Sequence, residues 1–241
     1  MASAHFTEPT THYWQEILPA NIARPEAPWK YKYSAVLPDN RIINLPIRPL
    51  PPASENESPK EAVASLFLTQ ASLLVVDELG SYLGACVHES FGSEIEVVIG
   101  LPTLGLGIAG GVAKSLGHIA RFVALGYSKK FWYTEELSTS LSSITSVGDK
   151  KVYIDPNQLP LVKGKKAIII DDVISSGKTL NKIWDFLESA EIGCNVIGAG
   201  FAMTQGSRWK EFLGKERSSK LVQVFASPLL KAVEGGWIER E

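Results

Sequence analysis

Cysteine is scarce. Cys86 and Cys194 are the only two in 241 residues, too few for a disulfide framework or a multi-cysteine zinc site. They read as small buried apolar residues in a reducing compartment. Long hydrophobic runs are also missing: the best, Leu73–Val76 and Ala167–Ile170, are four residues long, against the ~18 of a membrane span. Neither sign of charge dominates, since 24 Lys+Arg face 26 Asp+Glu for a net charge of −2. That balance argues against nucleic acid or an anionic membrane as a partner held by bulk electrostatics. Met1–Glu16 has no Lys, no Arg and no apolar core, so it is not read as a signal or transit peptide. The expected location is the cytoplasm. No G-x-S-x-G occurs, and His5, His12, His88 and His118 show no metal-ligand spacing.

What is present is an ordinary globular composition, 45% hydrophobic and 21% charged, sized for one large domain or a core with an appendage. Residues 1–59 are proline-rich, with Pro19, Pro25, Pro28, Pro38, Pro46, Pro49, Pro51, Pro52 and Pro59 excluding long helices. Extended pieces Trp29–Leu37 and Arg41–Ile47 flank the turn Pro38-Asp39-Asn40 and predict a β-hairpin. From about Lys60, the spacing of Ala62, Val63, Leu66, Phe67, Leu73 and Leu74 predicts an amphipathic helix. Strands are then predicted at Ile95–Ile99, Ile119–Leu125, Lys166–Asp171, Val196–Phe201 and Leu221–Phe225, with helices at Ile108–Leu116 and Thr179–Ala190. That alternation means a parallel α/β sheet. The Ala167–Ile170 run is what a strand buried on both faces requires. Gly126–Lys163 is a long Ser/Thr-rich connection containing Lys129, Lys130, Trp132 and Tyr133; it reads as functional or as an extra hairpin with a strand near Lys151–Asp155.

Three glycine-containing motifs compete. Ser175-Ser-Gly-Lys-Thr179 resembles the end of a nucleotide triphosphate loop, but Asp172 stands where that loop needs its first glycine. Gly105-Leu-Gly107-Ile-Ala-Gly110 matches a dinucleotide fingerprint. Leu101–Leu104 intervenes where a tight turn belongs, however, and Leu125–Lys130 has no carboxylate where an acid should hold the ribose. The alternative role for these glycines is close helix packing. The third motif joins the buried strand Ala167–Ile170 to Asp171-Asp172 and then to Val173-Ile-Ser-Ser-Gly-Lys-Thr179. A small-residue turn at a helix N-terminus offers unpaired N–H groups and hydroxyls to a monophosphate. Two adjacent carboxylates can accept from vicinal hydroxyls. Together they describe a ribose 5-phosphate site.

In this third motif the chain resembles the type I phosphoribosyltransferase family, whose signature is four apolar residues, two acids and a short loop ending in Gly-x-Thr. The resemblance implies an α/β fold: a Rossmann-like parallel sheet flanked by helices, with a small N-terminal β hood. Residues 1–59 would form the hood segment. Residues 60–241 would form the core, with a C-terminal extension (Phe225–Trp237) available to the hood. The resemblance assigns Ser175, Ser176, Gly177, Lys178 and Thr179 to the 5′-phosphate of 5-phosphoribosyl 1-diphosphate (PRPP), and Asp171 and Asp172 to the ribose. It assigns Pro102, Thr103, Leu104 and Gly105 to the diphosphate. Lys129 and Lys130, in a mobile loop, would close over the leaving group. Mg²⁺ would be the cofactor, held by Asp171 and Asp172 indirectly, through ribose hydroxyls and water.

The layout looks most like adenine phosphoribosyltransferases, and Ser175 stands where hypoxanthine-guanine enzymes carry an aspartate. Leu104 occupies a position where relatives often have Arg or Lys. Ser142 or Ser143 falls where adenine enzymes have a loop glutamate, with Glu135 and Glu136 nearby. The implied activity is transfer of phosphoribosyl from PRPP to a nitrogen of a heterocyclic base, purine and adenine-like, with diphosphate released. The alternative is a regulatory protein that binds PRPP without transferring it. Partners would be PRPP and the base, with no nucleic acid or membrane, in a homodimer, the commonest soluble assembly.

Overall fold

A computed structural model of the chain describes residues 10–52, 54, 57–117, 121–141 and 150–240. In chain order the elements are β1 (Lys32–Val36), β2 (Ile42–Pro49), β3 (Glu61–Ala64), α1 (Leu73–Phe91), β4 (Val97–Gly100), α2 (Gly105–Ser115), β5 (Phe122–Ala124), β6 (Ser138–Leu141), β7 (Lys150–Tyr153), α3 (Leu159–Val162), β8 (Lys166–Ile174), α4 (Lys178–Leu187), β9 (Asn195–Gln205), α5 (Arg208–Ser218), β10 (Leu221–Ser227), β11 (Leu229–Val233) and β12 (Gly236–Arg240). Five strands form a parallel sheet in the order β10-β9-β8-β4-β5. Its central strand is sandwiched as the Ala-Ile-Ile-Ile run requires. Ile168 and Ile170 join the cluster of Val75, Leu79, Leu83, Ile108 and Val112 from α1 and α2. Ala167 and Ile169 join Leu180, Ile183, Trp184 and Leu187 of α4 on the other side. Each face therefore buries its own apolar layer, the strongest source of stability available to a sheet.

A second, antiparallel sheet has the order β1-β2-β3-β11-β12. The hairpin expected around Pro38–Asn40 is β1–β2, with Ala35 opposite Ile43. This hood draws on both ends of the chain, because β3 pairs with β11 through Val63 and Leu229. The helix expected from about Lys60 is therefore corrected. Glu61–Ala64 is a strand with Ala62 and Ala64 buried, and the helix begins only at Leu73, where the Ser72 hydroxyl accepts from the Val75 N–H at 3.2 Å. Residues 62–67 imitate helical spacing, but ladder hydrogen bonds to β2 and β11 decide the matter.

Other boundaries shift as well. Helix α2 starts at Gly105 rather than Ile108, and β8 runs to Ile174 rather than stopping at Asp171. Helix α4 covers Lys178–Leu187, and β9 extends to Gln205. Helix α5 and the β11–β12 hairpin carried no expected secondary structure. The long connection holds the β6–β7 hairpin, with Ser138 opposite Tyr153. Ser142, Ser143 and His118 lie outside the described residues. Among the described residues no helix is long and apolar enough to cross a membrane. Cys194 is buried and Cys86 half-buried, both as free thiols.

Candidate active site

The parallel sheet reverses its direction of growth between β4 and β8: from β4 the chain adds β5 on one side, then β8, β9 and β10 on the other. Ligands of open α/β sheets bind outside the carboxyl ends of the strands at such a switch point. Here two loops meet at that point, Leu101–Leu104 after β4 and Ser175–Gly177 after β8. On the β4 side the ladder ends with Gly100 opposite Ile170, and Leu101 N–H donates to the Ile170 carbonyl at 2.9 Å. Strand β8 continues past that end, paired only with β9, so Asp171 and Asp172 border an open edge beside the loop.

Asp171 and Asp172 are held against each other. Asp172 N–H donates to Asp171 Oδ1 at 2.9 Å, and Gly105 N–H donates to the Asp171 carboxyl. Burial, followed by the charge of Asp172, pushes Asp171 well above the ordinary carboxylate range. Burial also raises Asp172, while the hydrogen bond from Asp171 lowers it. Two carboxyls this close cannot both ionise freely, so the pair holds its first proton above the ordinary carboxylate range.

The Ser175–Thr179 turn lines a cavity of about 220 Å³ together with Asp171 and Phe201. Gly177 caps α4 in the left-handed conformation, φ +78°, which an L side chain adopts at a cost. A Cβ there would lie 3.2 Å from Leu213 Cγ and 3.3 Å from Trp209 Cα. Ser175, Ser176 and Thr179 are exposed to the cavity mouth, and Lys178 is exposed but outside the lining. The first-turn N–H groups of α4 thus open onto this pocket.

The structure brings Pro102–Gly105 to the same edge through Gly105, whose Cβ, if present, would lie 2.7 Å from Asp171 Cα. The Pro102–Thr103 peptide is cis. Of the remaining glycines of the false fingerprint, Gly107 lies against Val76 and Gly110 against Phe122 at ordinary contact distance; the tight helix packing falls one residue on, where a Cβ on Gly111 would lie 2.9 Å from Gly80 Cα of α1. Lys129 is engaged elsewhere: its ammonium bonds Glu135, which also holds Lys151 Nζ at 2.7 Å. These two lysines drive the Glu135 pKa down to about 2. Lys130 is exposed, and no contact places it against the acids. Two residues near the site carried no sequence signal, Tyr127 and Lys150. The Tyr127 pKa is raised by burial and then by the charges of Asp171 and Asp172, and Lys150 Nζ lies 5.5 Å from its ring centroid. Only folding places them there, so no local motif could have found them.

A family model described as phosphoribosyl transferase domain matches residues 70–229. No curated protein matches the chain. Among solved structures, the APRTase from Giardia lamblia complexed with 9-deazaadenine superposes with a TM-score of 0.54 at 19% identity, covering 75% of this chain and 93% of that one. Adenine phosphoribosyltransferase from Rhodothermus marinus gives 0.51 at 20% identity, over 75% and 94%. That of Thermoanaerobacter pseudethanolicus gives 0.51 at 15%, over 64% and 81%. At these identities the likeness is one of fold.

Proposed function

The chain belongs to the phosphoribosyl transferase family, and from that premise we propose that it moves the 5-phosphoribosyl group of PRPP to a ring nitrogen of a purine, adenine-like, releasing diphosphate. The observation that carries this reading is the union at one switch point of a carboxyl pair, Asp171 half-buried and Asp172 buried, with a helix-capping turn around a small cavity. The Ser175–Thr179 turn would hold the 5′-phosphate with first-turn N–H groups and hydroxyls. Asp171 and Asp172 would accept from the ribose hydroxyls. The C1–O bond to diphosphate breaks, a C1–N bond forms, diphosphate leaves with the electron pair, and the base nitrogen gives up its proton. As C1 loses electron density, the negative charge of the acid pair faces the growing positive charge, already oriented before reaction. Pro102–Gly105 would position the diphosphate with backbone groups, and Lys129 and Lys130 would cover it and exclude water. For Lys129 this requires exchange of Glu135 for the diphosphate.

Mg²⁺ suits this donor set only with help. Among the described residues no cluster of three or more His, Cys, Asp or Glu could hold a metal. Asp171 and Asp172 would instead hold it through water and the hydroxyls of bound PRPP, where it would neutralise diphosphate charge. The reading carries with it a cytoplasmic homodimer that acts on small molecules and not on nucleic acid or membranes.

A second reading, a non-catalytic PRPP-binding protein, draws on the engagement of Lys129 by Glu135 and on the lack of a cation in Leu101–Gly105. Mixing the protein with PRPP, Mg²⁺ and single bases separates the two. Base-dependent release of diphosphate with formation of the nucleotide is the expected result. PRPP binding without release for any base supports the sensor, and no binding at all refutes both.

A further inference from the structure

A leaving diphosphate concentrates negative charge, and fixed cations are the direct means of stabilising it. The loop that borders Asp171 supplies none: Leu101, Pro102, Thr103, Leu104 and Gly105 are all uncharged. Lys129 and Lys151 share one carboxylate, Glu135. Lys150 differs from both. It opens β7, makes no ion pair among the described residues, and has its ammonium over the ring of Tyr127.

Tyr127 joins this lysine to the site. It follows Gly126, which is clamped to β7 by two hydrogen bonds, Gly126 N–H to Tyr153 O at 3.0 Å and Tyr153 N–H to Gly126 O at 2.8 Å. Two residues earlier, Leu125 N–H donates to the Gly100 carbonyl at 3.1 Å, immediately before the loop Leu101–Leu104. Tyr127 therefore follows the carboxyl end of β5, next to that of β4. The negative charges of Asp171 and Asp172 reach its hydroxyl. A cation over an aromatic face at an exposed position is weakly held, whereas a phosphate oxygen offers a charge-assisted hydrogen bond. The ring steadies the ammonium without retaining it.

We propose that Lys150, steadied over Tyr127, binds the diphosphate end of PRPP and adds a cation for the leaving group to those of Lys129 and Lys130. The proposal rests on the reading of Asp171–Thr179 as a ribose 5-phosphate site and adds a residue to the subsite next to it. Calorimetry on the full-length protein with Mg²⁺ tests it, using PRPP, inorganic diphosphate and ribose 5-phosphate against wild type, Lys150→Ala, Lys150→Arg and Tyr127→Leu. Lys150→Ala should weaken diphosphate and PRPP by about tenfold or more, the size of one lost charge-assisted bond, and leave ribose 5-phosphate unchanged. Lys150→Arg should keep most of the affinity. Tyr127→Leu should lose part of it, and adding Lys150→Ala to it should bring the loss no further than Lys150→Ala alone. Unchanged diphosphate affinity in Lys150→Ala overturns the proposal, as does an equal loss for ribose 5-phosphate, which would mark a general structural effect. Failure of the underlying reading looks different: wild type itself would bind neither PRPP nor ribose 5-phosphate.

Discussion

Gly105 and Asp171 meet backbone to side chain. The Gly105 N–H donates to the Asp171 carboxyl, and a Cβ on Gly105 would lie 2.7 Å from Asp171 Cα and 2.8 Å from the Ile170 carbonyl. The first residue of α2 is thus pressed onto β8 at the point where the two candidate ligand loops converge. Gly105→Ala must push backbone away from backbone. We expect a loss of about 1–3 kcal/mol in stability, typical of overpacking, with weakened PRPP binding. Denaturant unfolding and calorimetry measure the two; a neutral outcome in both would mean that α2 slides freely on the sheet.

Gly177→Val should abolish binding of ribose 5-phosphate as well as PRPP. The left-handed φ of +78° costs a non-glycine residue about 1–2 kcal/mol, and the Trp209 backbone and Leu213 leave a valine no room. Binding of both ligands at wild-type affinity would remove the phosphate assignment. Loss of PRPP alone would move the defect to Leu101–Gly105.

Asp171→Asn and Asp172→Asn should each weaken PRPP binding or turnover while preserving the fold, and Asp171→Asn should raise the melting temperature of the unliganded protein at neutral pH. The folded state raises the Asp171 pKa above its ordinary 3.8, so it binds that proton more tightly than the unfolded chain does. The contribution is fully present below the unfolded value and is lost as pH rises toward the folded one. Asp171→Asn should therefore flatten the stability profile above about pH 4. A profile identical to wild type would show that burial does not penalise the charge.

Glu135→Gln should release Lys129 and Lys151. Both pairs are solvent-exposed, so stability should hardly move. With Lys129 free to meet diphosphate, KM for PRPP should fall a few-fold, with the largest effect at low salt. A rise in KM would instead make Glu135 an organiser of the loop.

The strand, acid pair and helix-capping turn were legible because they are contiguous. Ala167–Ile170, Asp171-Asp172 and Ser175–Thr179 form one strand-turn-helix segment, so local composition carries both conformation and chemistry. The same locality exposed the β1–β2 hairpin and α4. It failed at residues 61–64, whose apolar spacing fits a helix and whose strand state depends on Leu229 and Leu230 far along the chain.

The sequence by itself determined the α/β alternation, the twice-buried central strand and a small-residue turn at a helix N-terminus beside two acids. Tertiary structure decided the rest, through pairs that share no neighbourhood in the chain. Gly105 lies on Asp171, Glu135 takes up Lys129 and Lys151, and the Lys150 ammonium sits over the Tyr127 ring. The reason is physical: helix spacing and turn chemistry act over a few residues, whereas hydrogen-bond ladders and charge pairs act between whatever the packed core brings together.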